Sequence, residues 1–548
     1  MGANQPRRLN RREFLAGAAG LAAAAALSSC RRAGESLGLF ERDIPGELLG
    51  PNKALGHRLR EGGFAAPETE ERLAVVVVGA GAAGLSAGWK LLRSGLTDFA
   101  VLDLEAAAGG NSAWGENKVS TYPWGAHYLP VPGPDARAVR ELLTEFKVML
   151  GVDARGRAVW DERALCHAPE ERLFVAGRWQ EGLFPRLGAK PADLEEHARF
   201  LALMRAFRVR RGRDGRRAFT IPLELSSRDP ELLALDEMSM AAWLAREGFS
   251  SPRLRWYVEY ACRDDFGATL EQSSAWAAIH YFAARGESSS DGLLVWPEGN
   301  GRLVRGLASA LGPRVRTGAL VYDVSPHADG ARVDCFDATT GRTRRVVARQ
   351  VIVCAPRFVA RRIVAPLRDD RRPFGFTYTP WMTANLTIEN PPPGIGADPA
   401  WDNVLYNSEG LGYVDARHQS LSLDRARSVW TYYRPLLGDA DARRKEAFSR
   451  TLSEWRELCL ADLERGHPNL RRHVTRLDAW VWGHGMIMPK TGFVWGSERR
   501  EALKPSGPIY YAHSDLSGIS LFEEANYRGV AAAEAVLRRL GKPFQSSL

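Results

Sequence analysis

The sequence predicts an α/β protein built on a parallel sheet, and three observations predict it. Leu73-Ala74-Val75-Val76-Val77-Val78 is an unbroken apolar, largely β-branched run, the composition of a strand buried on both faces. It passes directly into Gly79-Ala80-Gly81-Ala82-Ala83-Gly84, followed by Leu85, Trp89, Leu91 and Leu92 at helical spacing and by Gly95 as a stop. A second run, Phe99-Ala100-Val101-Leu102, closes on Asp103. Strand, glycine turn, helix, strand and terminal acid in that order form a Rossmann-like unit that binds a dinucleotide. Each residue type has a task there. Gly79 permits the tight turn, Gly81 lets a pyrophosphate approach the backbone, and Gly84 lets helix and strand pack closely. The helix start at Ala82-Ala83 offers free N–H groups and the positive dipole end to phosphates. Asp103 is placed to accept hydrogen bonds from ribose hydroxyls.

Length and composition bound the rest. A chain of 548 residues divides into roughly two to four units of ordinary domain size. Hydrophobic residues make up 45% and charged residues 25%, which excludes a disordered, collagen-like or polytopic membrane chain. The net charge of +9 is scattered and mostly arginine. No basic block is interleaved with aromatics, so no nucleic-acid groove is expected.

The first 30 residues read as an address. Asn10-Arg11-Arg12-Glu13-Phe14-Leu15 is a twin-arginine pattern, and a weakly apolar run from Ala16 to Leu27 follows it. That run is too short for a spanning helix, which needs about 20 residues, so it suits a signal-peptide core. It ends in Leu27-Ser28-Ser29-Cys30, which resembles a bacterial lipobox. The expectation is export by the twin-arginine route to the periplasm or cell envelope, with a lipid anchor at Cys30. That route carries folded proteins, which suits a cofactor inserted beforehand. Residues 31–72, rich in glycine, proline and charge, read as a linker. The remaining cysteines, Cys166, Cys262, Cys335, Cys354 and Cys459, are odd in number and lack metal spacing. Neither a disulfide framework nor a metal site is expected.

The acid at Asp103, the stretch Leu104 to Ala108 and the pair Gly109-Gly110 together resemble the FAD-binding fingerprint of the amine oxidase superfamily. That superfamily includes monoamine oxidases, polyamine oxidases and carotenoid desaturases. The family usually has arginine after the glycine pair; here it is Asn111. Pro123-Trp124-Gly125-Ala126-His127-Tyr128 lies where the family has a glycine-rich loop beside the isoalloxazine, so Gly125 and His127 are cofactor-side candidates. Trp296-Pro297-Glu298-Gly299-Asn300-Gly301, with Leu303, Leu307 and Leu311, resembles the family's second turn and helix. The strands around Val321–Val324, Ala331–Val333 and Val346–Ala355 then return to the FAD domain, with the main chain at Val324 implied to face the adenine. At the C-terminal end, Ile509-Tyr510-Tyr511-Ala512-His513-Ser514-Asp515 and Phe522-Glu523-Glu524-Ala525 resemble the last strand and flavin-side helix. Asp515 is implied at the ribityl chain, and the helix start up to Glu524 at the flavin pyrimidine.

The resemblance implies a glutathione-reductase-like FAD domain made of residues 73–160, 296–365 and 476–548. A discontinuous α+β substrate domain would occupy 161–295 and 366–475. FAD is the expected cofactor, and flavin chemistry asks side chains mainly to position the substrate and exclude water.

Trp480-Val481-Trp482-Gly483-His484-Gly485-Met486 matches the stretch ahead of the final FAD strand, and Trp482 and His484 are the leading active-site candidates. Many amine oxidases carry a lysine on a substrate-domain strand; the matching strand Met382–Ile388 has Asn385 in that place. This counts against rapid use of oxygen and points to a quinone or other redox carrier as the alternative acceptor. Aromatics around Trp256, Tyr257 and Tyr260, around Trp276, His280 and Tyr281, and around Trp430, Tyr432 and Tyr433 fit either a core face or a substrate wall. Glu259, Asp264 and Asp265 are candidate partners for the distal ammonium of a polyamine. The expected function is that of an exported FAD-dependent amine, or polyamine, oxidase or dehydrogenase. The alternatives are a desaturase or dehydrogenase acting on an apolar substrate, and a flavin-binding lipoprotein without catalysis.

Overall fold

The computed structural model describes residues 43–285, 292–370, 372, 374–422 and 424–548. The twin-arginine pattern, the apolar run and the Cys30 tetrapeptide lie outside the described residues.

The β-branched run forms the strand Thr69–Val78, in which Val75, Val76 and Val77 have no exposed surface. On one side it pairs in parallel with Phe99–Leu102, which pairs in turn with Val315–Arg316. On the other it pairs in parallel with Thr343–Val353. The first half of Thr343–Val353 takes the antiparallel strand Gly330–Asp337, itself hairpinned to Ala319–His327. Its last residues, Val351–Val353, pair in parallel with Ile509–Tyr511. Segments far apart in the chain therefore share one sheet.

Ala82–Arg93 follows the first strand and Phe522–Arg539 follows the last. Both strands are parallel members of the same sheet, so both helices start at its C-terminal edge. They lie in direct contact: Asn526 Nδ2 donates to Ser86 Oγ at 3.0 Å, and Lys90 pairs with Glu534 at 3.2 Å. A Cβ on Gly529 would stand 2.1 Å from the Ala83 carbonyl oxygen, so only glycine allows this approach.

The second sheet has eight strands. Its centre is the long antiparallel pair Tyr378–Glu389 and Val474–Ile487. Arg427–Pro435, Tyr413–Asp415, Asp402–Leu405, Glu171–Val175 and Arg178–Glu181 continue it on one side, and Leu48–Leu49 closes the other. The helices Pro191–Val209, Pro252–Phe266 and Ala275–Ala283 bury aromatic and aliphatic faces against one another beside this sheet.

Two boundaries fall elsewhere than expected. The segment read as a linker contains the helix Lys53–Glu61, the strand Leu48–Leu49 and the start of Thr69–Val78. Its charged, proline-punctuated sequence hid a helix whose single buried residue is Leu55. The boundary expected between residues 475 and 476 cuts through Val474–Ile487, which belongs entirely to the second sheet.

Candidate functional site

The glycine turns interlock. Gly79 has φ 104°, and Gly84 sits where a Cβ would come 1.8 Å from the Gly79 oxygen. Gly109 donates to the Ala80 oxygen at 2.9 Å, and a Cβ on Gly110 (φ 55°) would lie 3.1 Å from the Gly81 Cα. The helix Ala82–Arg93 begins at Gly81 with no side-chain cap, which leaves its first-turn amides to a ligand. Asp103 accepts from the Ala80 amide at 2.5 Å and the Glu105 amide at 2.8 Å, while burial raises its carboxyl above the usual range.

This cradle fits a dinucleotide. A side chain on Gly79 or Gly84 would collide with neighbouring backbone and one on Gly110 would crowd Gly81, and Asn526 Oδ1, only 1% exposed as a residue, has no hydrogen-bond partner among the described residues. Gly81, Ala83, Gly84, Gly109 and Gly110 would hold the pyrophosphate, and Asp103 the ribose.

The other cofactor-side candidates make contacts within the protein. Val324 pairs with Val333 across the hairpin and bridges Val364 on its other edge. The Asn111 side chain donates to the Gly485 oxygen and ties the glycine turn to the second sheet. Asp515 accepts from the Arg357 amide at 2.7 Å and the Tyr378 hydroxyl at 2.6 Å, and His513 Nδ1 stands 3.1 Å away. Burial works to raise this carboxyl, but His513 and these donors hold it below its usual value. Glu524 is fully buried and accepts the Leu223 amide at 2.5 Å.

A second constellation forms around the loop Pro123–Tyr128, which links the two sheets. Asn385 donates to the Pro123 oxygen at 3.0 Å and accepts from Thr431 at 2.7 Å. Trp482 Nε1 donates to the Trp124 oxygen at 2.8 Å, and Tyr433 donates to the Gly125 oxygen at 2.9 Å. The His127 ring stacks on Tyr433 at 4.4 Å and meets Trp401 at 5.6 Å. Burial lowers His127 to about 4, so it is neutral at pH 7. Trp480 stacks on Trp124 at 5.2 Å and completes an aromatic wall.

Acids face this wall. Tyr128 Oη lies 3.3 Å from both Asp264 and Asp265, and Arg285 pairs with Asp265. Tyr260 donates to Asp402 at 3.3 Å, and Asp402 stands opposite Glu171 on the neighbouring strand. Burial, and then Asp265, pushes Asp264 up to about 7. Burial, and then Glu170, pushes Glu171 up to about 7. Asp402 is raised well above the carboxylate range by burial, with Asp264 and Glu171 adding to it. Among the described residues Asp265 is the acid of this cluster that forms an ion pair with arginine, so the field at Asp264 and Asp402 favours a positively charged or proton-donating ligand.

The sequence candidates divide accordingly. Trp482, Asn385, Gly125 and His127 come together with Asp264 and Asp265. His484 does not join them: its ring stacks on Phe358 at 4.1 Å and meets Tyr378 at 6.0 Å, and burial lowers it to about 3. An irregularity in the pairing with Tyr378–Glu389 lies beside this stretch and separates the surroundings of the two side chains. Glu259 has Arg263, Glu271 and Arg255 as its charged neighbours rather than the cluster. Trp276 and His280 are core, with His280 bonded to the Thr220 oxygen at 2.8 Å. Asp402, Trp401 and Glu171 were not singled out from the sequence, because each is an isolated residue whose partners come from remote segments.

The family model for flavin containing amine oxidoreductases matches residues 82–537. No curated protein matches the sequence. Among solved structures, wild-type putrescine oxidase bound to putrescine is 19% identical with a TM-score of 0.62, covering 86% of this chain and 100% of that one. Cyclohexylamine oxidase from Brevibacterium oxydans IH-35A is 15% identical with a TM-score of 0.61, covering 86% and 99%. A CLA-producing fatty acid isomerase from P. acnes is 14% identical with a TM-score of 0.60, covering 85% and 98%. At these identities the likeness is one of fold.

Proposed function

The chain belongs to the flavin containing amine oxidoreductase family and is an FAD-dependent oxidoreductase, and from that premise we propose that it dehydrogenates a small amine at the pocket between Trp482, His127, Tyr433 and Asp264. The chemistry FAD supplies when bound is acceptance of a hydride. The chain's own residues supply the rest. Trp482, Trp401 and Tyr433 wall the pocket and exclude water. Tyr128 orients Asp264 through its hydroxyl. Asp264, held near 7, takes the proton that an ammonium must lose before its C–H bond can break. Neutral His127 packs against the amine without repelling it.

The observation that carries this reading is the carboxylate–aromatic cluster next to the Gly125 loop. An apolar pocket without acids would instead suit carbon–carbon dehydrogenation. The test is anaerobic titration of the purified protein with spermidine and with octylamine, followed through the flavin bands. Bleaching by either supports amine oxidation; bands that persist with both count against it.

We further propose that electrons leave to a quinone or similar carrier rather than to oxygen. The support is Asn385, whose amide is spent on Pro123 and Thr431 at the position where the resemblance implies a lysine. Reoxidation of the reduced protein by a soluble quinone should outpace reoxidation by air; the reverse order overturns this.

We propose in addition that the chain is exported folded and held by lipid at Cys30. The Arg11-Arg12 pattern and the Cys30 tetrapeptide support this. So do the buried free thiols Cys166, Cys262, Cys335, Cys354 and Cys459, which fit folding in a reducing compartment. Replacing Arg11 and Arg12 by lysine should leave the full-length protein in the cytoplasmic fraction, and unchanged export would refute the assignment.

A further inference from the structure

A small surface cleft opens between the loop after Tyr128–Pro130 and the segment Arg217–Ile221. Its rim carries the ion pair Arg217–Asp135 at 3.5 Å, and Val131, Phe219 and Ile221 line it with apolar surface. Arg285 and Glu523 form its inner end. Arg285 belongs to two places at once. It borders the cleft, and it also donates to the Tyr128 hydroxyl at 3.3 Å, pairs with Asp265 and lies over the Tyr281 ring at 4.0 Å. One side chain therefore separates the cleft from the acid cluster.

We propose that this cleft is the entrance for the amine and that Arg285 is its inner door, a reading that rests on the pocket assigned above. The apolar sides admit the hydrocarbon part of an alkyl or aryl amine. The door opens by rotation of a side chain held through one charge pair, one hydrogen bond to Tyr128 and one ring contact with Tyr281. An arriving ammonium compensates that movement, because it offers Asp265 and Asp264 a replacement cation as the guanidinium withdraws. No bond is made or broken, and the site is charge-balanced before and after.

Gly133 provides the test. It lines the cleft, its backbone is not in the left-handed region, and nothing lies within 4 Å of where its Cβ would be. Gly133→Trp should therefore fold normally and obstruct the passage, whereas Gly133→Ala should behave as wild type. In anaerobic stopped-flow with octylamine, the second-order constant for flavin reduction should fall at least tenfold in Gly133→Trp. The limiting rate at saturation and the flavin spectrum should stay unchanged. An unchanged second-order constant overturns the proposal, and so does a loss confined to the limiting rate. A wild-type flavin that octylamine and spermidine both fail to reduce overturns the pocket assignment itself.

Discussion

Asp264 and Asp265 are adjacent in sequence and face different partners. Asp265 has Arg285, whereas Asp264 faces Asp402 and Tyr128. An ammonium bound by Asp264 gains a charge-assisted hydrogen bond of about 1.5–3 kcal/mol. Asp264→Asn should therefore lower the second-order constant for amine-driven flavin reduction by about ten- to a hundredfold, with flavin content retained. A loss below threefold would remove Asp264 from the reaction. Glu523, raised to about 8 by burial, gives a pH signature. Its folded value lies above its unfolded one, so its contribution to stability is complete below about 4.5 and is lost as pH rises through about 8. Glu523→Gln should flatten the fall in Tm between pH 6 and pH 9, and an equal fall in both proteins would show that Glu523 is not the group responsible. The buried histidines act in the opposite sense. His127 and His280 are lowered to about 4 by burial, so stability is lost as pH falls below about 6.5.

At the scale of elements, the legible pieces were those whose pattern is local. The strand Thr69–Val78, the helix Ala82–Arg93 and the strand Phe99–Leu102 follow from a β-branched run, a glycine turn and a helical period within one short stretch. The long strand Val474–Ile487 was assigned to the wrong side of a boundary, because its two-sided burial looks the same in either sheet. Pairing partners come from elsewhere in the chain. The contact between Ala82–Arg93 and Phe522–Arg539 depends on Gly529. Gly529→Val should force the helices apart, cost about 1–3 kcal/mol from overpacking and lower flavin content together with Tm. Wild-type flavin content in that variant would show that the two helix starts do not jointly hold the cofactor. Asp103→Ala, by contrast, should weaken FAD retention while leaving the far-UV spectrum intact, since it removes a carboxylate that holds the Ala80 and Glu105 amides of the turn and not a packing contact.

Across the whole molecule, the loop Pro123–Tyr128 is one of the ties to the second sheet. Pro123, Trp124 and Gly125 each offer a carbonyl oxygen to a side chain of the second sheet, namely Asn385, Trp482 and Tyr433. Asn385→Leu should leave the Pro123 oxygen and the Thr431 hydroxyl unpaired and cost about 1–3 kcal/mol, seen as a lower Tm. If reoxidation by air stays slow in that variant while Tm falls, Asn385 acts as a tie between the sheets and not as a redox group. The sequence by itself determined the Rossmann-like start, the interlocking glycines and the family, because turn geometry and burial on both faces of a strand are written in consecutive residues. Only the tertiary structure decided that Trp482 bonds to the Pro123–Tyr128 loop while His484 stacks on Phe358, and that Asp402 and Glu171 join Asp264. Those facts depend on strand register and on electrostatic neighbours drawn from distant segments, and no local pattern encodes either.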